Sequence, residues 1–455
     1  MKKLKIVVIG AGSATFGIGT IADLVASAEL REFDLTVSLV DIDARALERT
    51  MAMARRIREH FGSPARIEAT LERTEALPGA DYVITSVATR RWDLWEKDYY
   101  IPLAYGFRQV MGENGGPGAA FHTLRSLDLM VPIARDMERL CPEALLLNFT
   151  NPESRVCLGV NTLTRVRSVG LCHGPLATLG RIAELLGRPA EEIDLTVAGL
   201  NHFHWALEVK DKAIGADLRP QLAQAMEKAD WDSDGLTPLL FRTFGYLTYP
   251  APSHPGEYLG FAHEIAGPQM VLWGIGGVSR RLSARAEDHE YVIEGKSNQP
   301  CYHLWSLDMV ERIDRILAGK EPLSEEFTRM SIELAVPIIC DIQFDRRHRE
   351  LAANVPNRGR AIANLPEEAI VEVPIRVGAA GVEPVSVGPL PEALAGLCSL
   401  QISIQKLLVE AYRQRSKDLL LQALVIDPVV DSVPRARAMM ETMLKVQADY
   451  LPQMR

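Results

Sequence analysis

The sequence predicts an α/β protein whose N-terminal half is a doubly wound parallel sheet. Three observations carry this. Residues 5–9 form an apolar strand pattern that runs through Gly10-Ala11-Gly12-Ser13 into helical spacing at Ile18, Ile21, Leu24 and Val25. Strand-like runs at 35–40 and 82–87 follow, alternating with helical stretches. Three later apolar runs, 144–147, 168–171 and 195–200, each end in a cluster of polar groups. Ligands of open parallel sheets bind at such strand ends.

Composition sets the frame. A chain of 455 residues, 47% hydrophobic, has ample material for a core, and two closely packed domains, 1–195 and 196–455, are expected. A net charge of -9 argues against nucleic acid or an anionic membrane as partner. No apolar run reaches spanning length, and the first residues lead directly into a strand, so a cytoplasmic protein is expected. Six cysteines without paired spacing read mostly as free core thiols.

Strand, Gly-x-Gly turn and helix form the dinucleotide-binding context. The backbone approaches a pyrophosphate and the helix N-terminus faces its charge. Gly10, Gly12 and Ser13 are the candidate cofactor contacts. The third glycine of the usual pattern is absent, with Thr15 in its place and Gly17 nearby. Asp41 ends the second strand, where a carboxylate takes ribose hydroxyls and repels a 2′-phosphate, which favours NAD over NADP. Its alternative role is to cap the helix from Ala44, for which Asp43 is better placed.

Residues 89–118 are polar, aromatic and glycine-rich, the composition of a long functional loop. Its end, Met111-Gly112-Glu113-Asn114-Gly115-Gly116-Pro117-Gly118, is too glycine-dense to be helical and sets Glu113 near the strand ends, or in a plain surface turn. Residues 123–140 read as an amphipathic helix kinked at Pro132.

Asn148 and Asn151 flank a turn closed by Pro152, and alone they read as turn-capping groups. Cys172 and His202 each end an apolar run. A lone buried cysteine is usually structural, and a lone histidine is usually a satisfied polar group. Thirty positions apart, the two do not make a closed zinc pattern. They suit an open metal site completed by water or substrate oxygens.

After Trp205 the sheet pattern ends. Residues 211–234 read as polar and helical, 236–249 as aromatic-rich, and Ser253-His254-Pro255-Gly256-Glu257-Tyr258 as a loop. Tyrosines here are packing groups, or bases if a divalent cation eases their ionisation. Residues 277–290 carry Arg280, Arg281 and Arg285, available to an anionic substrate or to solvent. Asn354-Val355-Pro356-Asn357-Arg358-Gly359 and Asn364-Leu365-Pro366 break the chain before a strand at 370–373. Long helices are expected at 397–424 and 434–447.

Taken in order, the glycine turn, Asn148-Phe149-Thr150-Asn151-Pro152, Cys172-His173-Gly174-Pro175, Gly199-Leu200-Asn201-His202, His254-Pro255-Gly256-Glu257-Tyr258, Asn364-Leu365-Pro366 and Val371-Glu372-Val373-Pro374 resemble the family-4 glycoside hydrolases. These are NAD- and divalent-metal-dependent glycosidases, and the resemblance runs nearly end to end. It implies a Rossmann-type domain followed by an α+β domain of lactate/malate-dehydrogenase type, a small glycoside or oligosaccharide substrate, and a homodimer or homotetramer. It implies NAD contacts that include Asn148, and Cys172 and His202 as ligands of a metal, usually Mn2+. Glu113 and Asn151 match sugar contacts, with Asn201 beside them. Tyr246 best matches the catalytic base, with Tyr258 as the alternative, and His173 is a candidate general acid or a hydrogen-bonding partner of cofactor or sugar.

The implied reaction is redox-neutral. Oxidation at sugar C3 acidifies the C2 proton, the base removes it, and the C1 aglycone is eliminated. Water then adds at C1 and the first steps reverse. Such enzymes stand outside the two-carboxylate mechanism. Cys172-His173-Gly174 resembles the branch acting on α-glucuronides and α-galacturonides. Neutral α-glucosidases and α-galactosidases tend to carry Glu or Ser after the histidine, and 6-phospho-sugar enzymes Asp or Asn after the cysteine.

Other readings have distinct requirements. A 2-hydroxy-acid dehydrogenase needs a His base with an acidic partner and an Arg clamp, an arrangement not evident in the sequence. A silent NAD-binding sensor would not need Cys172 and His202. A metal-independent relative cleaving sulfonated sugars would not need them either.

Overall fold

A single row of residues, running straight across the main sheet, ends the strands that carry the site. The computed structural model describes residues 1–14, 16–231, 234–266, 281–285, 290–294 and 301–454, with only the backbone given between 281 and 306. Its strands are β1 (Lys3–Ile9), β2 (Asp34–Val40), β3 (Arg66–Thr70), β4 (Tyr82–Thr85), β5 (Leu145–Asn148), β6 (Arg167–Gly170), β7 (Ile193–Leu200), β8 (Phe203–Asp211), β9 (Arg281–Arg285), β10 (Glu290–Glu294), β11 (His348–Pro356), β12 (Ile370–Gly378) and β13 (Gly381–Pro384). The main sheet has the order β3-β2-β1-β4-β5-β6-β11-β12-β7-β8, with β13 on β12, and β9 pairs with β10 separately.

The first six strands are parallel. From β6 onward the pairing is antiparallel. The row reads Thr70, Val40, Ile9, Thr85, Asn148, Gly170, Asn354, Glu372, Gly199, His204. Each polar group singled out at a strand end therefore emerges along one edge of this row.

Helices Phe16–Ala26, Ala44–His60, Gly116–Leu140, Glu153–Leu163 and Gly174–Leu186 supply the crossovers and flanking layers. One core joins both halves. It runs from Leu4, Ile6 and Val8 to Ala353, Val371 and Val373, and each fully buried aliphatic side chain contributes about 1.5–3 kcal/mol. A second cluster packs Ile101, Phe107, Phe121 and Leu124 against Leu408, Leu420 and Met439. Between these elements Arg125 pairs with Asp98 and Gln447, all buried.

Several expectations are corrected. Residues 89–118 are not one loop, because Arg91–Ala104 is helical. The glycine-dense stretch enters the helix Gly116–Leu140, and Gly118 is there for close approach, since a Cβ would lie 2.1 Å from the Asp98 carbonyl oxygen. The sheet does not end at Trp205, because β8 continues to Asp211 and β11, β12 and β13 join it. Residues 354–356 end β11 and do not break the chain. Residues 211–234 are helical only at Arg219–Lys228. The run 397–424 splits into Glu392–Gln414 and Lys417–Val425, with Arg415 left-handed at φ 55 between them. By length and composition alone helix Glu392–Gln414 could span a membrane, but half of its apolar window is buried inside the fold, as in a core helix. Arg280 lies outside the described residues, as do the side chains of Arg281 and Arg285.

Candidate active site

The glycine turn is built for close contact with β2. Gly10 has φ 88, and a Cβ there would lie 2.1 Å from the Ser86 carbonyl oxygen. The Gly12 N–H donates to Asp41 Oδ2 at 2.8 Å, and a Cβ on Gly12 would meet that oxygen at 2.7 Å. Gly17 lets the following helix approach Ala11, whose carbonyl oxygen lies 2.2 Å from where a Cβ would stand. It supplies the close packing that the missing third glycine would give. Asp41 is not the cap of the next helix: Asp43 accepts from Arg45 N and Ala46 N. Ser13 sits in the turn, its Oγ accepting from Phe16 N. Asn148 makes the contacts of its turn-capping reading. Its Oδ1 accepts from Thr85 Oγ1 and Thr150 N, and its Nδ2 donates to the Thr150 carbonyl, so its side chain holds the strand-end turn.

Cys172 follows β6, and its sulfur accepts from Gly174 N at 3.3 Å. His202 occupies the tight β7–β8 turn at φ 61. Its buried Nδ1 has no hydrogen-bond partner among the described residues. The His202 ring lies 4.4 Å from His254 and 5.8 Å from Tyr249, and Tyr249 stacks on His204 at 5.9 Å. Gly174 leaves the room this needs, for a Cβ there would lie 3.3 Å from both His204 and Tyr249. Burial, with Glu372 nearby, pushes the Cys172 thiol up, and burial beside three histidines pushes His202 down. A neutral imidazole is ready to bind a metal, and a metal supplies the charge that a buried thiolate lacks. The donor set fits a divalent transition ion.

A hydrogen-bonded chain backs this cluster. His204 Nδ1 meets Glu372 Oε2 at 2.6 Å and its Nε2 meets Thr178 Oγ1 at 2.9 Å. Asn354 Nδ2 donates to both Glu372 and Glu153. Burial and the neighbouring Glu372 push Glu153 well up.

The sugar-side candidates also meet. Arg91 Nη2 lies 2.8 Å from Glu113 Oε1, and Asn151 Nδ2 lies 3.4 Å from the same oxygen. Glu113 lines a small pocket with Arg91, Trp95, His122 and Ser126. The turn Pro255–Tyr258 ties this group to the metal side. Glu257 Oε1 accepts from Glu113 N and Asn114 N, while Tyr258 donates to the Asn201 carbonyl. The Asn201 Oδ1 is buried and unpartnered among the described residues.

The sequence model of family 4 glycosyl hydrolases matches residues 5–188, and the model of that family's C-terminal domain matches 197–430. The chain belongs to family 4 of the glycosyl hydrolases. An α-glucosidase of Erwinia rhapontici is 33% identical to this glycosidase over 98% of each chain. An α-galactosidase of Bacillus subtilis (strain 168) is 28% identical over 99% of each. A solved 6-phospho-α-glucosidase from gut microorganisms, in complex with NAD and Mn2+, shares the fold at TM-score 0.80 over all of both chains, with 21% identity.

The uronic-acid reading of Cys172-His173-Gly174 finds no support among these relatives, which are named as an α-glucosidase, an α-galactosidase and a 6-phospho-α-glucosidase. The tyrosines of this family 4 chain sit in different surroundings. Tyr246 packs partly buried against the core and near Arg219. The tyrosine whose ring meets His202 and His254 is Tyr249. The Tyr258 hydroxyl is committed to the Asn201 carbonyl. His173 is exposed, and its Nδ1 lies 3.4 Å from Glu333 Oε1, which pushes the imidazole up. The cluster also holds Tyr249, His204, Glu153 and Arg91, which no local sequence pattern marks, while Glu372, already in the Val371–Pro374 motif, is a carboxylate inside the apolar strand Ile370–Gly378.

Proposed function

We propose that this chain is a redox-neutral α-glycosidase that uses NAD and a divalent metal, acting on a neutral α-glucoside or α-galactoside. The observation that carries the reading is the cluster of Cys172, His202, Tyr249 and His254 beside the strand-end row, with the His202 Nδ1 buried and unpartnered among the described residues. Cys172 and His202 would hold the metal, and Gly10, Gly12, Ser13 and Asp41 the cofactor. When bound, NAD supplies reversible hydride transfer and the metal supplies Lewis acidity at the sugar oxygens.

The chain's own residues do the rest. Tyr249 takes the C2 proton, its ring held between His204 and His254. Burial, with Cys172 and Glu372, pushes its hydroxyl up in the metal-free chain, and a nearby cation reverses that direction. Glu113 and Asn151 orient sugar hydroxyls, with Arg91 holding the Glu113 carboxylate in place. A buried carboxylate whose cationic partner is already engaged suits hydroxyls better than a sugar phosphate or carboxylate. The names of the α-glucosidase and α-galactosidase relatives support the same substrate class.

The test is hydrolysis of aryl α-glucoside, α-galactoside, α-glucuronide and α-6-phosphoglucoside in heavy water, omitting NAD or Mn2+ in turn. The expected result is cleavage of a neutral α-glycoside that needs both additions and places deuterium at C2. Preference for the uronide or the phosphosugar would overturn the substrate class, and cleavage without NAD would overturn the mechanism.

A further inference from the structure

Three side chains converge at the opposite end of β11 from the row. His348 and Glu350 are two residues apart on the strand and so project from one face, and Asp341 reaches them from helix Ala335–Gln343. His348 Nδ1 lies 3.5 Å from Asp341 Oδ2 and 3.3 Å from Glu350 Oε1, and one donor atom from each lies within 4.8 Å of the others.

Asp341 is 2% exposed and Glu350 9%. Two nearly sealed carboxylates face one imidazole here, and a cation held by all three would offset the repulsion between the carboxylates. Arg346 approaches only the other oxygen of Asp341, at 3.6 Å, and is itself paired with Glu29. Asp341 Oδ2 is buried and faces the His348 imidazole, with Nδ1 3.5 Å away. The spacing is also informative. Ligands about 2.1 Å from a metal lie about 3.0–3.4 Å from one another. A charge-assisted hydrogen bond would close to about 2.7–2.9 Å. The two separations from His348 Nδ1, 3.3 and 3.5 Å, are longer than such a hydrogen bond and lie near the wide end of the first range.

We propose that Asp341, His348 and Glu350 form a second divalent-cation site, distinct from Cys172 and His202, that takes Zn2+ or a similar first-row ion. One imidazole and two carboxylates suit such an ion. The His348 side chain is 64% exposed, which gives the ion an entry route and leaves room for water ligands. Bound there, the ion clamps helix Ala335–Gln343 to β11.

The test uses the full chain carrying Cys172→Ser and His202→Ala, stripped with EDTA and titrated with Zn2+ by calorimetry, with metal counted by atomic emission. One equivalent is expected, with a rise in Tm, since a ligand bound only to the folded state stabilises it. Adding His348→Ala should abolish both. No Zn2+ bound, or binding that survives His348→Ala, overturns the proposal. If the double variant fails to fold, the same count on the unaltered chain and on His348→Ala alone decides: a loss of one equivalent supports the site, and an equal count overturns it. A Tm that follows pH but ignores Zn2+ would show that the carboxylates share a proton, which also overturns it.

Discussion

His204 Nδ1 and Glu372 Oε2 lie 2.6 Å apart, with both side chains sealed from solvent. Thr178 engages the second ring nitrogen, so the imidazole cannot rotate. Tyr249 stacks on that fixed ring at 18° between planes. Glu372 therefore positions the proposed base through His204 without touching it.

Glu372→Ala should destabilise the fold by about 3–5 kcal/mol, because it leaves one member of a buried pair without its partner. Urea unfolding measures this. Glu372→Gln keeps the shape and should cost less, while still lowering kcat more than it raises KM. An unchanged unfolding midpoint for Glu372→Ala would show that the pair contributes nothing to the fold.

Tyr249→Phe should lower turnover about 10²–10⁴-fold, the usual contribution of a positioned base. Tyr246→Phe should leave turnover within a few-fold of the unaltered chain. The assay is hydrolysis of an aryl α-glycoside together with the rate of deuterium exchange at C2. The reverse pattern would return the role to Tyr246.

Cys172→Ser and His202→Ala should each abolish binding of Mn2+ at the active site while leaving NAD affinity nearly unchanged. Metal counting and NAD fluorescence titration read the two separately. Loss of NAD affinity with full metal content would refute the assignment of both residues.

Gly12→Ala should weaken NAD binding, because the new Cβ would strike the Asp41 carboxylate that the turn is built around. Gly19→Ala is the control, in a glycine with open space around it. Equal NAD affinity in the two variants would count against the turn as the cofactor cradle.

Acid should destabilise the metal-free chain through its buried imidazoles. Burial pushes His254 down to about 3, with His173 and His204 adding repulsion, and burial followed by Arg125 pushes His122 down to about 3. Each is near 6.5 in the unfolded chain. Between those values the unfolded state binds more protons, so stability rises with pH there and is fully present only above about 6.5. Urea unfolding at pH 7.5, 6 and 5 should show the loss, and His254→Asn should flatten the slope by up to one proton. An unchanged slope would mean that His254 charges within the folded state.

Much of the nucleotide half was legible because its signals are local. The Gly10 to Ser13 turn, the acid at Asp41 and the apolar runs each report on their own strand. β3 leaves no apolar run to read, because Arg66–Thr70 is an edge strand without buried positions. The helix Arg91–Ala104 has the composition of a loop, because its aromatic and polar residues answer to tertiary packing and not to helical periodicity.

The sequence by itself determined the strands β1, β2 and β4 with the helices between them, the glycine turn, and the ordered set of motifs that places the chain in its family. Only the tertiary structure decided which tyrosine reaches His202, and that Glu372, Asn354 and Glu153 stand behind Cys172. These residues are separated along the chain by up to 219 positions, from Glu153 to Glu372. They meet because antiparallel β11 and β12 are inserted beside β6, so that Gly170, Asn354 and Glu372 fall into one register across the sheet. Local patterning specifies which residues form a strand. Which strands become neighbours, and in what register, is decided by burial of a shared core, and that is a property of the whole chain.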